Sequence, residues 1–190
     1  MAERNKNLRD DLIRAGIREI NEHGVTRFSV RRVAESCNVS CAAPYKHFKD
    51  KRGFIASIIE FVNDQWKERQ LEVLSGCSDS LREQIVEVSL AYIRFLMEKP
   101  YYRSILMLKD EGFDNLYHRS RGQLSSRSQQ MTESFFAGAG MSPETQARKL
   151  HLVRSIIFGT VFLFDAGELE YCDETMELVR FNIDREFDLP

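Results

Sequence analysis

Four prolines and ten glycines are few chain-breakers for 190 residues, and no segment alternates apolar and polar residues over the length of a strand. That scarcity argues against strand-built Rossmann and barrel enzymes and for an all-helical protein. No apolar run reaches the roughly 18 residues of a membrane span, and the opening MAERNKNLRDD lacks an apolar signal core. A cytoplasmic protein is expected. The four cysteines, at positions 37, 41, 77 and 172, are too scattered for a disulfide framework, so reduced thiols are expected. His23, His47, His118 and His151 stand far apart, and HExxH, GxSxG, Walker and Rossmann patterns are missing. No enzyme, metal or cofactor is expected.

Charge of one sign is also lacking overall, since the formal net charge is −2. That small value hides a dipole. Residues 1–53 hold 12 Lys and Arg against 7 Asp and Glu, a net +5, while the remainder holds 15 against 22, a net −7. A basic module joined to an acidic body suits a protein that presents one end to a polyanion.

Within the basic module, Phe28–Lys51 reads FSVRRVAESCNVSCAAPYKHFKDK, two short helices about a tight turn, the layout of a DNA-reading helix-turn-helix. Ser29 caps a helix whose buried stripe is Val30, Val33, Ala34 and Cys37, with Arg31, Arg32 and Glu35 on the wet side. Asn38 falls where the chain reverses, and asparagine tolerates the left-handed conformation that the reversal needs. Val39 plugs back into the core. Ser40 caps the second helix, whose Cys41, Ala42 and Ala43 are small enough for close approach to a duplex. Pro44 then falls in the first turn, where backbone N–H groups have no helical partner anyway. Tyr45, Lys46 and His47 follow as hydrogen-bonding side chains, Phe48 as an anchor, and Lys49, Lys51 and Arg52 surround a capping Asp50.

The ordered series HGV (His23 to Val25), FSVRRVAE, NVSCAAPYKHFKDK and an apolar helix from Gly53 resembles the tetracycline-repressor (TetR) family of bacterial transcriptional regulators over about the first quarter of the chain. Asn38 departs from the family's usual glycine or alanine, and Pro44 from its frequent bulky aliphatic. The resemblance implies that Arg31, Cys41, Ala42 and Lys46 face base edges. It implies that Ser29, Ser40, Tyr45, His47 and Lys51 position the module on phosphates, with Arg32 and Ala43 on the same face. Arginine pairs two donors with guanine, and the Ala42 methyl suits a thymine methyl.

Helical periodicity organises the rest. A first helix near 5–22 carries Leu8, Leu12, Ile13, Ile17 and Ile20. A long one runs from about 50 to 75 with Phe54, Ile55, Ile58, Ile59, Val62 and Trp66. Further helices are expected over 80–99, 101–109 and 173–187, and the polar stretch 117–130 is either a loop or an exposed helix. Residues 1–52 then form a helix-turn-helix domain, and 53–190 a helical regulatory, ligand-binding and dimerisation domain.

Leu150 to Phe164, LHLVRSIIFGTVFLF, is apolar on nearly all sides and calls for burial on nearly all sides. A second copy of the chain supplies the extra surface. Leu150, Val153, Ile157, Val161 and Phe164, with Val179 and Ile183 of the last helix, are the expected dimer residues, in line with the four-helix interface that the resemblance implies. A homodimer addresses two half-sites of a palindromic operator in double-stranded DNA about 34 to 36 Å apart. Trp66, Tyr92, Phe95, Tyr101, Tyr102, Met107, Phe113, Phe135, Phe158 and Phe162 supply aromatic and sulfur-bearing bulk for a pocket that takes an apolar or aromatic effector. The expected function is a DNA-binding transcriptional regulator, a repressor released by that effector. The alternative is a DNA-bound helical adaptor that recruits a protein partner without one.

Overall fold

The computed structural model describes residues 2–107 and 130–188. In order, it contains α1 (Ala2–His23), α2 (Val30–Ser36), a single 3₁₀ turn (Pro44–Lys46), α3 (Lys51–Ser75), α4 (Leu81–Glu98), α5 (Pro100–Met107), α6 (residues 130–138), α7 (Pro143–Ala166) and α8 (Asp173–Glu186). The protein is all-α, with no strand among the described residues. Residues 117–129 of the polar stretch lie outside them.

Two compact units emerge, one of Met1–Gln65 with Lys99–Gly122, the other of Trp66–Glu98 with Gln123–Pro190. The division falls within α3, and α5 returns to the first unit, where it packs on α1. A linear boundary at 52/53 does not express this return.

In the first unit, α1 contributes Leu12, Ile13 and Ile20 to a core completed by Val33 and Ala34 of α2 and by Phe54, Ile55, Ile58 and Val62 of α3. Gly16 explains how closely α1 and α3 approach. A Cβ there would lie 2.7 Å from Ile58 Cδ1 and 3.3 Å from the Phe54 ring, tighter than van der Waals contact allows. Phe48 stacks on Phe54 with ring centroids 3.9 Å apart, and Phe28 meets Phe54 edge-on at 5.4 Å. Phe48 is therefore the anchor expected of it. The buried Tyr102 hydroxyl donates to Asn63 Oδ1 at 3.0 Å, tying α5 to α3.

In the second unit, α4, α7 and α8 pack on one another. Two arginines pin α4 to α8: Arg82 reaches Asp184 at 2.6 Å and also Asp188, while Arg180 pairs with Glu87. The Arg82 hydrogen bond holds the Asp188 carboxyl below the usual carboxylate range. Lys149 of α7 is fully buried and donates from Nζ to the Glu186 carbonyl at 2.6 Å, placing a cation at the negative end of the α8 dipole.

α7 begins earlier than the apolar run, because Ser142 Oγ caps it by accepting from the Thr145 N–H at 3.2 Å and Pro143 takes the first turn. Gly167 ends it in the left-handed conformation at φ 70. Val153, Ile157, Val161, Phe164, Val179 and Ile183, expected at a dimer surface, are buried within the subunit, and Leu150 is half-buried. The six buried side chains serve the subunit's own core. The large apolar side chains left outside on α7 and α8 are Phe158, Phe162, Leu178 and Phe181.

Candidate nucleic-acid interface

The helix-turn-helix is built as its sequence dictates up to the turn. Ser29 is extended at the start of α2, and its Oγ accepts from the Arg32 N–H at 3.4 Å. Asn38 has φ 54, the one positive value outside glycine among the described residues. Around it the Asn38 N–H donates to the Glu35 carbonyl at 3.1 Å and the Val39 N–H to the Ala34 carbonyl at 3.0 Å. That pair of bonds is the Schellman ending, here closed by asparagine in place of glycine. Asn38→Gly should keep the fold and raise stability by a few tenths of a kcal/mol to about 1, because glycine adopts this conformation freely, whereas Asn38→Val should lower it by about 1–3 kcal/mol. Thermal melting of both variants checks the opposite signs.

The second helix is shorter than expected. Only Pro44–Lys46 is helical, and the geometry is 3₁₀. Ala43, without a side-chain cap bond, stands at its start, so Ser40 does not cap it. The physical cause is Pro44, which has no N–H to offer the Ser40 carbonyl. That carbonyl accepts from Ala43 at 2.9 Å instead, and a tight turn replaces the first α-type bond. The chain rejoins regular structure where Asp50 Oδ1 accepts from the Gly53 N–H at 2.7 Å to cap α3.

Around this turn the expected contact residues differ in exposure. Arg31, Arg32, Ser40, Cys41, Ala42, Tyr45 and Lys46 are exposed, while Ser29, Ala43, His47 and Lys51 are half-buried. Arg31 of α2 lies within electrostatic range of the Cys41 side chain, so α2 and the turn share one neighbourhood. Arg31, with 78% of its side chain exposed, bonds Glu35 at 2.8 Å, which pushes its pKa up. Arg32 is differently placed. Its guanidinium bonds the Glu19 carboxylate and the Arg27 carbonyl, the latter at 2.7 Å. The sequence places Arg32 beside Arg31 as a contact and hides its tie to Glu19; the clue it offers is an arginine at the third helical position, where a capping box carries glutamate.

The expected effector residues are distributed over both units. Tyr101 and Tyr102 belong to the first unit, and Trp66, Tyr92, Phe95, Phe135, Phe158 and Phe162 to the second. Trp66 is core, packed against Tyr92 and Phe95 at 4.8 and 5.3 Å, and Phe162 is exposed. Met107 ends α5, and Phe113 lies outside the described residues. The second unit does contain a mostly apolar cavity of ≈ 70 Å³, lined by other residues: Ile85, Val88 and Ser89 of α4, Met131, Thr132 and Phe136 of α6, Leu150, Val153 and Ile157 of α7, and Phe187. None of the ten expected side chains lines it. One element missed in the sequence, α6, supplies Met131, Thr132 and Phe136 to its walls.

Comparison with known proteins agrees with this construction. The family described as "Bacterial regulatory proteins, tetR family" matches residues 12–58. No curated protein sequence matches the chain. A TetR family transcription regulator from Marinobacter aquaeolei is 19% identical over 98% of both chains, with a TM-score of 0.76. The fatty acid degradation regulator FadR from Bacillus halodurans is 12% identical over 94% of this chain and 97% of its own, at 0.72. A TetR variant from Acinetobacter baumannii, solved in complex with minocycline, is 20% identical over 93% and 92%, at 0.58. At such identities the likeness is one of fold. Residues 12–58 match the tetR family of bacterial regulatory proteins, and the chain shares the fold of TetR-family transcription regulators.

Proposed function

We propose that this protein is a sequence-specific DNA-binding regulator that acts as a homodimer on a palindromic operator and represses until a small apolar effector releases it. The observation that carries this reading is the helix-turn-helix itself. It exposes Arg31 of α2 and Tyr45 and Lys46 of the turn on a segment of net positive charge, the combination that supplies both phosphate contact and base readout. Arg31 must exchange Glu35 for a base edge on binding, which its exposure permits. Two small side chains beside it, Cys41 and Ala42, leave room for the duplex.

Release by an effector is supported by the cavity of the second unit, which is apolar apart from Ser89 and Thr132. Such a lining suits an apolar molecule oriented by one or two hydroxyl contacts, and at ≈ 70 Å³ the cavity has to widen on binding to admit one. The minocycline-bound neighbour and the fatty acid degradation regulator share the fold and support the same reading. An effector acts by preferring the dimer arrangement that fits DNA less well, typically by about 1–3 kcal/mol.

Selection of bound duplexes from random DNA should enrich an inverted repeat. Affinity for the winner should then fall steeply with salt, with a log–log slope of about −0.9 for each phosphate neutralised. A flat salt response, or no enriched sequence, would remove the DNA reading. Retained binding across a broad library of apolar compounds, together with a stable protein partner, would replace the effector by recruitment.

A further inference from the structure

Glu19 lies on α1, outside every contact surface considered so far, yet only 7% of it is exposed. A carboxylate that deep needs partners; besides His23 of α1, whose Nε2 lies 3.7 Å from Oε2, they belong to the start of α2. Glu19 Oε1 accepts from the Ser29 N–H at 3.1 Å and from Arg32 Nε at 2.9 Å, and Oε2 from Arg32 Nε at 3.2 Å. A second guanidinium nitrogen of Arg32 bonds the same carboxylate and the Arg27 carbonyl.

Those bonds complete a capping box by an unusual route. In the ordinary box the cap serine accepts from the third helical N–H, and a glutamate at that third position returns a bond to the cap's own N–H. Here Ser29 makes the first bond to the Arg32 N–H. The third position is arginine, and the carboxylate comes from Glu19, ten residues before the cap. The box therefore fastens α2 to α1 as well as closing its first turn.

We propose that Glu19 is a positioning residue for DNA binding. It fixes the seating of α2, and through it Arg31 and the turn, by holding Arg32 as part of the fold and away from the duplex. This rests on the DNA-binding reading above. It also makes a prediction of unusual sign. Removing a negative charge from a module that meets phosphates ordinarily tightens binding, and would do so further here if Arg32 were freed to reach a phosphate.

The test compares wild-type protein with Glu19→Gln, Arg32→Gln and, as a reference for a direct phosphate contact, Lys51→Gln. All are measured on the selected duplex at a temperature where melting shows each folded. Glu19→Gln and Arg32→Gln should each weaken binding about tenfold, the scale of one lost hydrogen bond to a charged group. The double variant should be no weaker than the worse single, and the salt slope should stay at the wild-type value. Lys51→Gln should flatten the slope by about 0.9 per contact. Tighter binding by Glu19→Gln, or a flattened slope in Arg32→Gln, would overturn the proposal and return Arg32 to the phosphates.

Hydrogen exchange supplies a readout without DNA. The Ser29 amide and those of α2 should lose protection in both variants relative to α3, and unchanged protection would sink the clamp even if DNA binding held. Should the wild-type protein select no duplex while these amides still loosen, the clamp stands as a device of the fold and the DNA reading fails. If Glu19→Gln does not fold, Arg32→Gln alone decides the slope and the exchange.

Discussion

Glutamate at both Phe162 and Phe181 should give a folded monomer with DNA affinity reduced by roughly 100-fold or more, the scale on which coupling two binding modules raises avidity. Phe162 is 61% exposed on α7 and Phe181 60% exposed on α8, with Phe158 at 38% and Leu178 at 57% beside them in sequence. Phe158 and Phe162 are four residues apart on one helix, Leu178 and Phe181 three apart on the other, so each pair lies on one helical face. Isolated exposed leucines and phenylalanines are ordinary. Four large apolar side chains on two helices that pack together form the surface we propose for a second copy. Sedimentation at micromolar concentration should show a wild-type dimer and a mutant monomer with unchanged helical circular dichroism. Ile183→Glu supplies the contrast, because Ile183 is fully buried within the subunit and a charge there should unfold the chain. A monomeric wild type, or a double variant still dimeric, would move the interface elsewhere.

Local chemistry was the part of this structure most legible in the sequence. Ser29 as cap, Asn38 in the left-handed turn and Asp50 before α3 each follow from what one side chain does to its nearest backbone, and each is found. The long helices are legible for the same reason, since a stripe of apolar residues at helical spacing has one use. What the sequence hid depends on which surfaces meet. Leu150–Phe164 is apolar all round, so its pattern could not say that Val153, Ile157 and Val161 face inward while Phe158 and Phe162 face out. Glu19 sits among charged residues at the end of α1 and reads as solvated, although the Ser29 N–H and Arg32 close over it beside His23 of its own helix. The brevity of the reading turn was within reach, because the missing N–H of Pro44 removes one bond, but a cap at Ser40 concealed its effect. The cavity was beyond reach. Its walls come from α4, α6, α7 and Phe187 together, whereas Trp66, Tyr92, Phe95 and Phe158 are partners of one another.

Trp66 brings that last distinction to a measurement. As an effector-pocket residue it would tolerate truncation with little loss of stability and a large loss of effector binding. The structure makes it core: 2% exposed, with Tyr92 and Phe95 against its faces and no part in lining the cavity. Trp66→Ala should therefore lower the unfolding free energy by about 3–5 kcal/mol, the range for removing a buried aromatic side chain and leaving its space partly empty. Trp66→Phe keeps the ring contacts and most of the volume, and should lose less than half of that. Denaturant unfolding followed by circular dichroism reads both, with the wild-type transition also visible in fluorescence because the chain has a single tryptophan. Phe136→Ala opens the cavity wall instead and should change effector affinity as well as stability, whereas Trp66→Phe should leave effector affinity within about twofold, since it alters no lining contact. A Trp66→Ala protein as stable as wild type, with effector binding gone, would make the tryptophan a ligand contact after all and relocate the effector site to the aromatic cluster around it.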